Sequence, residues 1–233
     1  GTKPAEGALS VLLQSAIKTK DQKGAIVALQ KMVEYYPKPE RWRDLLVLMR
    51  DSAGRSANDE EYTLNIYRLM RETGTLKDGN EFVEMATIAL KRGSPGEASD
   101  AIKRGTAANA LSTGGNKTAS DVLRKSAEVA EKADRATLAK FETEAKSAKT
   151  GEADVRLGQA FLSYDQPDKA LEALQRGIQK GSLRNPDEAQ ILLGMTYLKL
   201  GQKAEAQAAF SAGKGQDQKF GDLAQLWAIY ARS

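Results

Sequence analysis

The chain has 233 residues, 41% hydrophobic and 28% charged, and its 35 basic and 31 acidic side chains are scattered without a basic stripe. That near-average composition excludes a disordered chain, and the dispersed net charge of +4 excludes nucleic acid as a partner. Cysteine and histidine are both absent, which removes disulfides, thiolate metal sites, cysteine nucleophiles and the commonest general base, so neither metal nor cofactor is expected.

Gly, Pro, Asn and Asp punctuate the chain into segments of helical length, with apolar residues at three- and four-residue spacing and no sustained alternation that would suggest strands. Helices are predicted near 5–19, 22–36, 39–51, 58–73, 79–92, 95–110, 117–131, 133–149, 152–164, 167–180, 187–199, 202–214 and 217–231. The second contains Ala25, Leu29 and Met32 and closes on Tyr35-Tyr36-Pro37; the third contains Trp42 and the longest strongly apolar run, Leu45 to Met49. That run is far below the roughly 20 residues of a membrane span, so no membrane insertion is expected. After a longer connection, Asp51 to Ala57, Asn58 is expected to cap the fourth helix, with Asp59, Glu60 and Glu61 in a first turn that the helix dipole favours. Tyr62, Tyr67 and Phe82, at helical spacing, are expected in the core. Further on, Pro95, Pro167 and Pro186 fit helix first turns, Asp165 and Asn185 are candidate caps, and Gly93, Gly181 and Gly201 fit helix ends.

A fixed offset links the later helices. Leu157-Gly158, Phe161, Ala170, Leu174 and Gly177 are answered thirty-six residues on by Leu193-Gly194, Tyr197, Ala206, Phe210 and Gly213. The same pattern lies two periods upstream at Met85-Ala86, Ala89, Ala98, Ile102 and Gly105. A degenerate unit is therefore expected at 117–149. Its few large apolar residues, Val122, Leu123, Val129, Leu138 and Phe141, predict weak packing. Units of this length bury their apolar faces only by stacking.

These residues resemble tetratricopeptide repeats, best in the unit from Asp187, through Leu193, Gly194, Tyr197, Ala206 and Phe210. The periods are nearer 36 than 34, and Gly105, Gly177 and Gly213 replace the usual second alanine. The resemblance implies an all-α fold, a right-handed superhelical α-solenoid of about six helical hairpins in a single domain over 1–233. Its units fall near 5–37, 38–75, 79–111, 115–150, 151–184 and 187–216, closed by a capping helix at 217–231. The segments YYPKPERWRDLL, LNIYRLMRETGTLKDGNEFVEMATIALKRGSPGEA and DLAQLWAIYA further resemble the C-terminal half of secreted tetratricopeptide-repeat proteins of proteobacteria. That likeness implies a periplasmic or secreted location, with the cytoplasm as the alternative. It also implies a fragment of a longer protein, and the opening Gly1-Thr2 without an initiator methionine fits a leader already removed.

In the family, first helices line the concave face. By alignment the outward residues are Glu152, Val155, Gln159, Leu162 and Ser163 in one unit, and Glu188, Ile191, Met195, Leu198 and Lys199 in the next. Ile191 and Met195 are the expected contacts for an apolar peptide, with packing against the adjacent unit as the alternative reading. The lysine and asparagine of known carboxylate-binding repeats are replaced by Ser10 and Gln14, which argues against that specificity.

Three enzyme-like motifs are weaker. Ser15-Ala16-Ile17-Lys18 and Ser211-Ala212-Gly213-Lys214 match Ser-x-x-Lys, and Lys149-Thr150-Gly151 matches Lys-Thr-Gly, but the latter falls at a helix joint instead of on a strand. Gly114-Gly115-Asn116-Lys117-Thr118 lacks the strand and the second glycine of a phosphate loop, and reads as a loop before a helix. The expected function is therefore a non-enzymatic scaffold binding a protein or peptide. Alternatives are a structural spacer or self-association through terminal repeats and, remotely, a serine hydrolase.

Overall fold

The computed structural model describes residues 3–54, 56–213 and 217–232. Among these, every regular element is an α-helix: α1 (Glu6–Lys18), α2 (Gln22–Tyr35), α3 (Pro39–Asp51), α4 (Ala57–Glu72), α5 (Gly79–Lys91), α6 (Pro95–Ala107), α7 (Gly114–Ser147), α8 (Glu152–Ser163), α9 (Pro167–Lys180), α10 (Pro186–Lys199), α11 (Lys203–Ala212) and α12 (Gln218–Arg232). Among the described residues no helix is long and apolar enough to cross a membrane. The chain forms two compact units, one ending at Leu76 and carrying α1 to α4, the other beginning at Lys77 and carrying α5 to α12.

Helix boundaries follow local chemistry. Pro95, Pro167 and Pro186 each open a helix, where the missing N–H costs nothing, and Gly93, Gly181 and Gly201 follow helix ends at positive φ. Asn185 caps α10 by accepting from the Glu188 N–H at 3.1 Å. Two expected caps differ. Ser56, not Asn58, caps α4, because its hydroxyl and the Asp59 carboxylate satisfy each other's backbone N–H groups, two free donors met at once. Asp165 takes φ 55° in the turn and pairs with Lys199 instead of capping α9.

In the first unit α1 and α2 form a hairpin, α3 packs on α2, and α4 on α3. The start of α1 is tied to the α2–α3 turn: the Tyr36 hydroxyl donates to the Pro4 carbonyl at 2.8 Å, and Arg41 pairs with Glu6 while donating to the Tyr36 carbonyl. The Arg41 guanidinium holds the exposed Glu6 carboxyl below its ordinary range. Tyr62 and Tyr67 are buried as expected, as is Phe82 of the second unit.

The second unit contains the hairpins α5–α6, α8–α9 and α10–α11. In α8–α9 and α10–α11 the repeating contact is a glycine facing a large side chain: a β-carbon on Gly158 would overlap Leu174, and one on Gly194 would overlap the Phe210 ring. Ala170 and Ala206, also echoing, are fully buried. Trp227 of α12 stacks on Phe210 with ring centroids 5.6 Å apart, so the last helix covers the final hairpin as predicted.

A larger expectation also fails. The segments at 117–131 and 133–149 are a single 34-residue helix, α7, which also takes in Gly114 to Asn116. The run Ala130-Glu131-Lys132-Ala133-Asp134 holds no glycine or proline, and the Arg135–Glu131 pair at 2.8 Å spans the expected break. Weak packing does hold, since Ser120, Ala127 and Ala145 are its buried residues.

Ala133→Pro separates one helix from two. A proline is tolerated at the start of a second helix, whereas inside a continuous helix it costs about 3 kcal/mol or more. Urea unfolding followed by circular dichroism should show that loss, and an unchanged midpoint would restore the two-helix reading.

Candidate functional site

Helix α10 carries apolar residues on every side and packs between α8, α9, α11 and α12. Three expected groove residues are buried there: Ile191 is 0% exposed, Met195 7% and Glu188 8%. The outward placement of these three is corrected. The repeat alignment leaves the outer side of a first helix open, but here neighbouring helices enclose it.

The α8 candidates are half-buried and engaged. Val155 and Leu162 pack on the apolar cluster of Leu174, Leu192, Leu193 and Ala209. Gln159 donates to the Ser94 hydroxyl at 3.0 Å, and Glu152 accepts from the Arg184 N–H at 3.1 Å. The Ser163 hydroxyl is enclosed without a hydrogen-bond partner among the described residues, beside Gly96, where a β-carbon would overlap the Ser163 carbonyl. Leu198 is half-buried. Lys199 is exposed, but it lies 2.6 Å from Asp165, whose carboxyl it holds below the usual range by hydrogen bonding.

An ion cluster not foreseen from the sequence lies beside them. Asp154 is fully buried on α8; Arg176 lies 2.7 Å from its Oδ1, and Lys180 lies 2.7 Å from its Oδ2. Lys180 also donates to the Ala145 and Lys146 carbonyls at 2.8 and 3.0 Å, closing the C-terminus of α7. Gly151 approaches Gly177 so closely that a β-carbon would overlap the Gly177 carbonyl, while the Gly151 N–H donates to the Gly181 carbonyl at 2.9 Å. The signal available was the (i, i+4) pair Arg176 and Lys180 on α9, one echo position from Gly177. Higher up, the Tyr164 hydroxyl donates to Asp134 at 2.5 Å, and the Arg135 guanidinium lies 4.0 Å over its ring. Burial, then Asp134, raises the Tyr164 pKa above its ordinary value.

An open concavity lies in the first unit. A cavity of about 640 Å³ is formed by the end of α1, the start of α2 and the second half of α3. Leu13, Ala16, Leu29, Val47 and Leu48 give it an apolar lining, and Ile17 stands on its lip at 63% exposed. Lys20, Asp21, Asp44 and Asp51 form an exposed polar rim. Arg43 lines it too, donating to the Thr75 carbonyl at 2.6 Å. Ile17 and Val47 are the sequence signals, but apolar residues at these helix positions read as ordinary core.

Ser15 and Lys18 lie exposed on α1, Lys149 and Thr150 sit in the α7–α8 turn, and Lys214 of the second Ser-x-x-Lys match lies outside the described residues. Among the described residues, no group of three or more acidic side chains is placed to hold a metal ion.

The tetratricopeptide-repeat family model matches residues 187–219, which include the α10–α11 hairpin. No curated protein matches the chain. Among solved structures, a thermophilic tetratricopeptide-repeat protein of Thermus thermophilus is similar at 17% identity over 98% of this chain and 100% of its own, with a TM-score of 0.32. That likeness is too loose to carry an argument about shape or site.

Asp154→Ala leaves Arg176 and Lys180 facing each other without their carboxylate. The expected loss is about 2–4 kcal/mol of stability in urea unfolding, and a loss below about 0.5 kcal/mol, the level of a surface pair, would contradict the cluster's role.

Proposed function

We propose that this chain is a non-enzymatic scaffold of the tetratricopeptide-repeat kind, binding a protein or peptide partner in the cavity between α1, α2 and α3. The observation that carries the reading is the combination of an apolar hollow with an exposed isoleucine at its lip. Apolar surface left in water contributes roughly 25 cal/mol per Å² when a partner covers it, and a hollow of this volume has the size of a ligand pocket. The rim carries both signs of charge, which orients a bound segment more than it attracts one. The match at residues 187–219 supports the scaffold class. A location in the bacterial envelope rests on the resemblance of three sequence segments to secreted repeat proteins.

A second reading, self-association through terminal repeats, is favoured by one observation. Val11, Leu12 and Val27 stand exposed on the first hairpin. Light scattering over a concentration series distinguishes the two, since self-association raises the mass and peptide binding alone does not.

The test of the leading reading is affinity capture from an envelope extract, comparing the native chain with an Ile17→Lys, Val47→Glu variant whose helix content is checked by circular dichroism. Partners retained by the native chain should be lost by about tenfold or more in the variant, as for removal of an apolar anchor. Equal retention by the two would remove the cavity from the binding surface.

A further inference from the structure

The 34-residue α7 is anchored on one side only. Its buried residues Ser120, Ala127 and Ala145 share that side, and Leu138 and Phe141 pack against the cluster of Ala145, Leu157 and Phe161. At 100° per residue the opposite side presents Val122, Val129 and Ala136 seven apart, flanked by Lys125, Lys132 and Lys140. All six are exposed, and the valines strongly so, at 60% for Val122 and 71% for Val129.

The charges on this side are unbalanced. Neighbouring cations are occupied: Arg124 lies 3.2 Å from Asp121, Arg135 2.8 Å from Glu131 and Lys146 2.7 Å from Glu142. Lys125 and Lys132 have no carboxylate within ion-pair distance among the described residues, and Lys140 reaches Glu144 only at 3.7 Å between two exposed side chains. Glu128 stands at the border of the face, so two lysines without a partner meet one unpaired carboxylate, and Lys140 adds a third ammonium held only by its long contact to Glu144.

We infer that this outward face of α7 docks a helix of a protein partner, one with small apolar residues at heptad spacing and carboxylates beside them. Charge complementarity selects the acidic partner. Valine and alanine allow two helix backbones to approach to about 8–10 Å, and lysine stems cover the seam while their ammonium groups reach the partner's carboxylates. A lipid surface fits less well, since interfacial helices insert Trp, Phe or Leu and this face carries none. From Val122 to Lys140 the face rises about 27 Å at 1.5 Å per residue, the length of a five-turn helix. It shares no residue with the α1–α3 cavity, and the inference stands whether or not that cavity binds a peptide.

The test uses the full chain and three probes: a fluorescent four-heptad helix with alanine and valine in its seam and glutamate flanking it, the same helix with lysine in place of glutamate, and phosphatidylglycerol vesicles. Anisotropy should show that the acidic helix binds, that the basic helix does not, and that added salt weakens binding. The K125E, K132E, K140E variant should lose affinity by about tenfold or more, and K125Q, K132Q, K140Q by a smaller factor, with circular dichroism confirming that each keeps its helix content. The glutamine variant carries the test if the reversed one fails to fold. Equal binding of the two helices, indifference to the substitutions, or binding to the vesicles but not to the acidic helix would overturn the assignment.

Discussion

The second unit is organised by a bare patch of backbone on a first helix into which a large side chain of the following helix descends. Gly158 receives Leu174, and Gly194 receives Phe210, sixteen residues later in both cases. Any β-carbon at either glycine would occupy the space of the incoming side chain. Two helices can then approach closely enough for Ala170 and Ala206 to be fully enclosed, and the apolar faces that neither helix can bury alone are removed from water. The same offset separates Ala86 from Ile102 in the α5–α6 hairpin, where both are buried and alanine is the smallest residue with a β-carbon.

Close approach at these sockets fixes what lies around them. Phe210 also stacks on the Trp227 ring, so the closing helix belongs to the same interlocking contact. The C-terminus of α7 is drawn to α8 and α9 by Asp154, Arg176 and Lys180, a buried carboxylate with two cations, one of which also closes the end of α7. Such a cluster specifies position more than it adds stability, because the desolvation of the charges offsets much of their attraction. Helix α7 itself has no glycine socket between its two ends and is attached by a few contacts along one side. Its other side stays in water, and that is where residues unconstrained by the stack accumulate.

Much of this was legible in the residues. The prolines at 95, 167 and 186 and the glycines at 93, 181 and 201 act through backbone geometry alone, so they mark helix ends whatever the surroundings. The break near Lys132 was misread because repeat arithmetic demanded a hairpin where the local sequence, Ala130 to Asp134, contains only residues compatible with a helix interior. The outward placement of Glu188, Ile191 and Met195 fails for a different reason. Facing was assigned by alignment, whereas the run Ala189, Ile191, Leu192, Leu193, Met195 is apolar around the whole circumference of α10, the pattern of a helix enclosed on all sides. The α1–α3 cavity was not legible, since Ile17 and Val47 are apolar like any core residue and only the separation of three helices opens a hollow between them.

The most direct test of this account is a double-mutant cycle on the second socket, combining Gly194→Ala with Phe210→Val and measuring unfolding free energies in urea. If the glycine exists to admit the ring, Gly194→Ala alone should cost about 1–3 kcal/mol, and most of that cost should vanish once the ring atoms are gone, giving a coupling energy of comparable size. Costs that simply add would show that the glycine acts through helix propensity or backbone entropy, and that the socket does not hold the hairpin together.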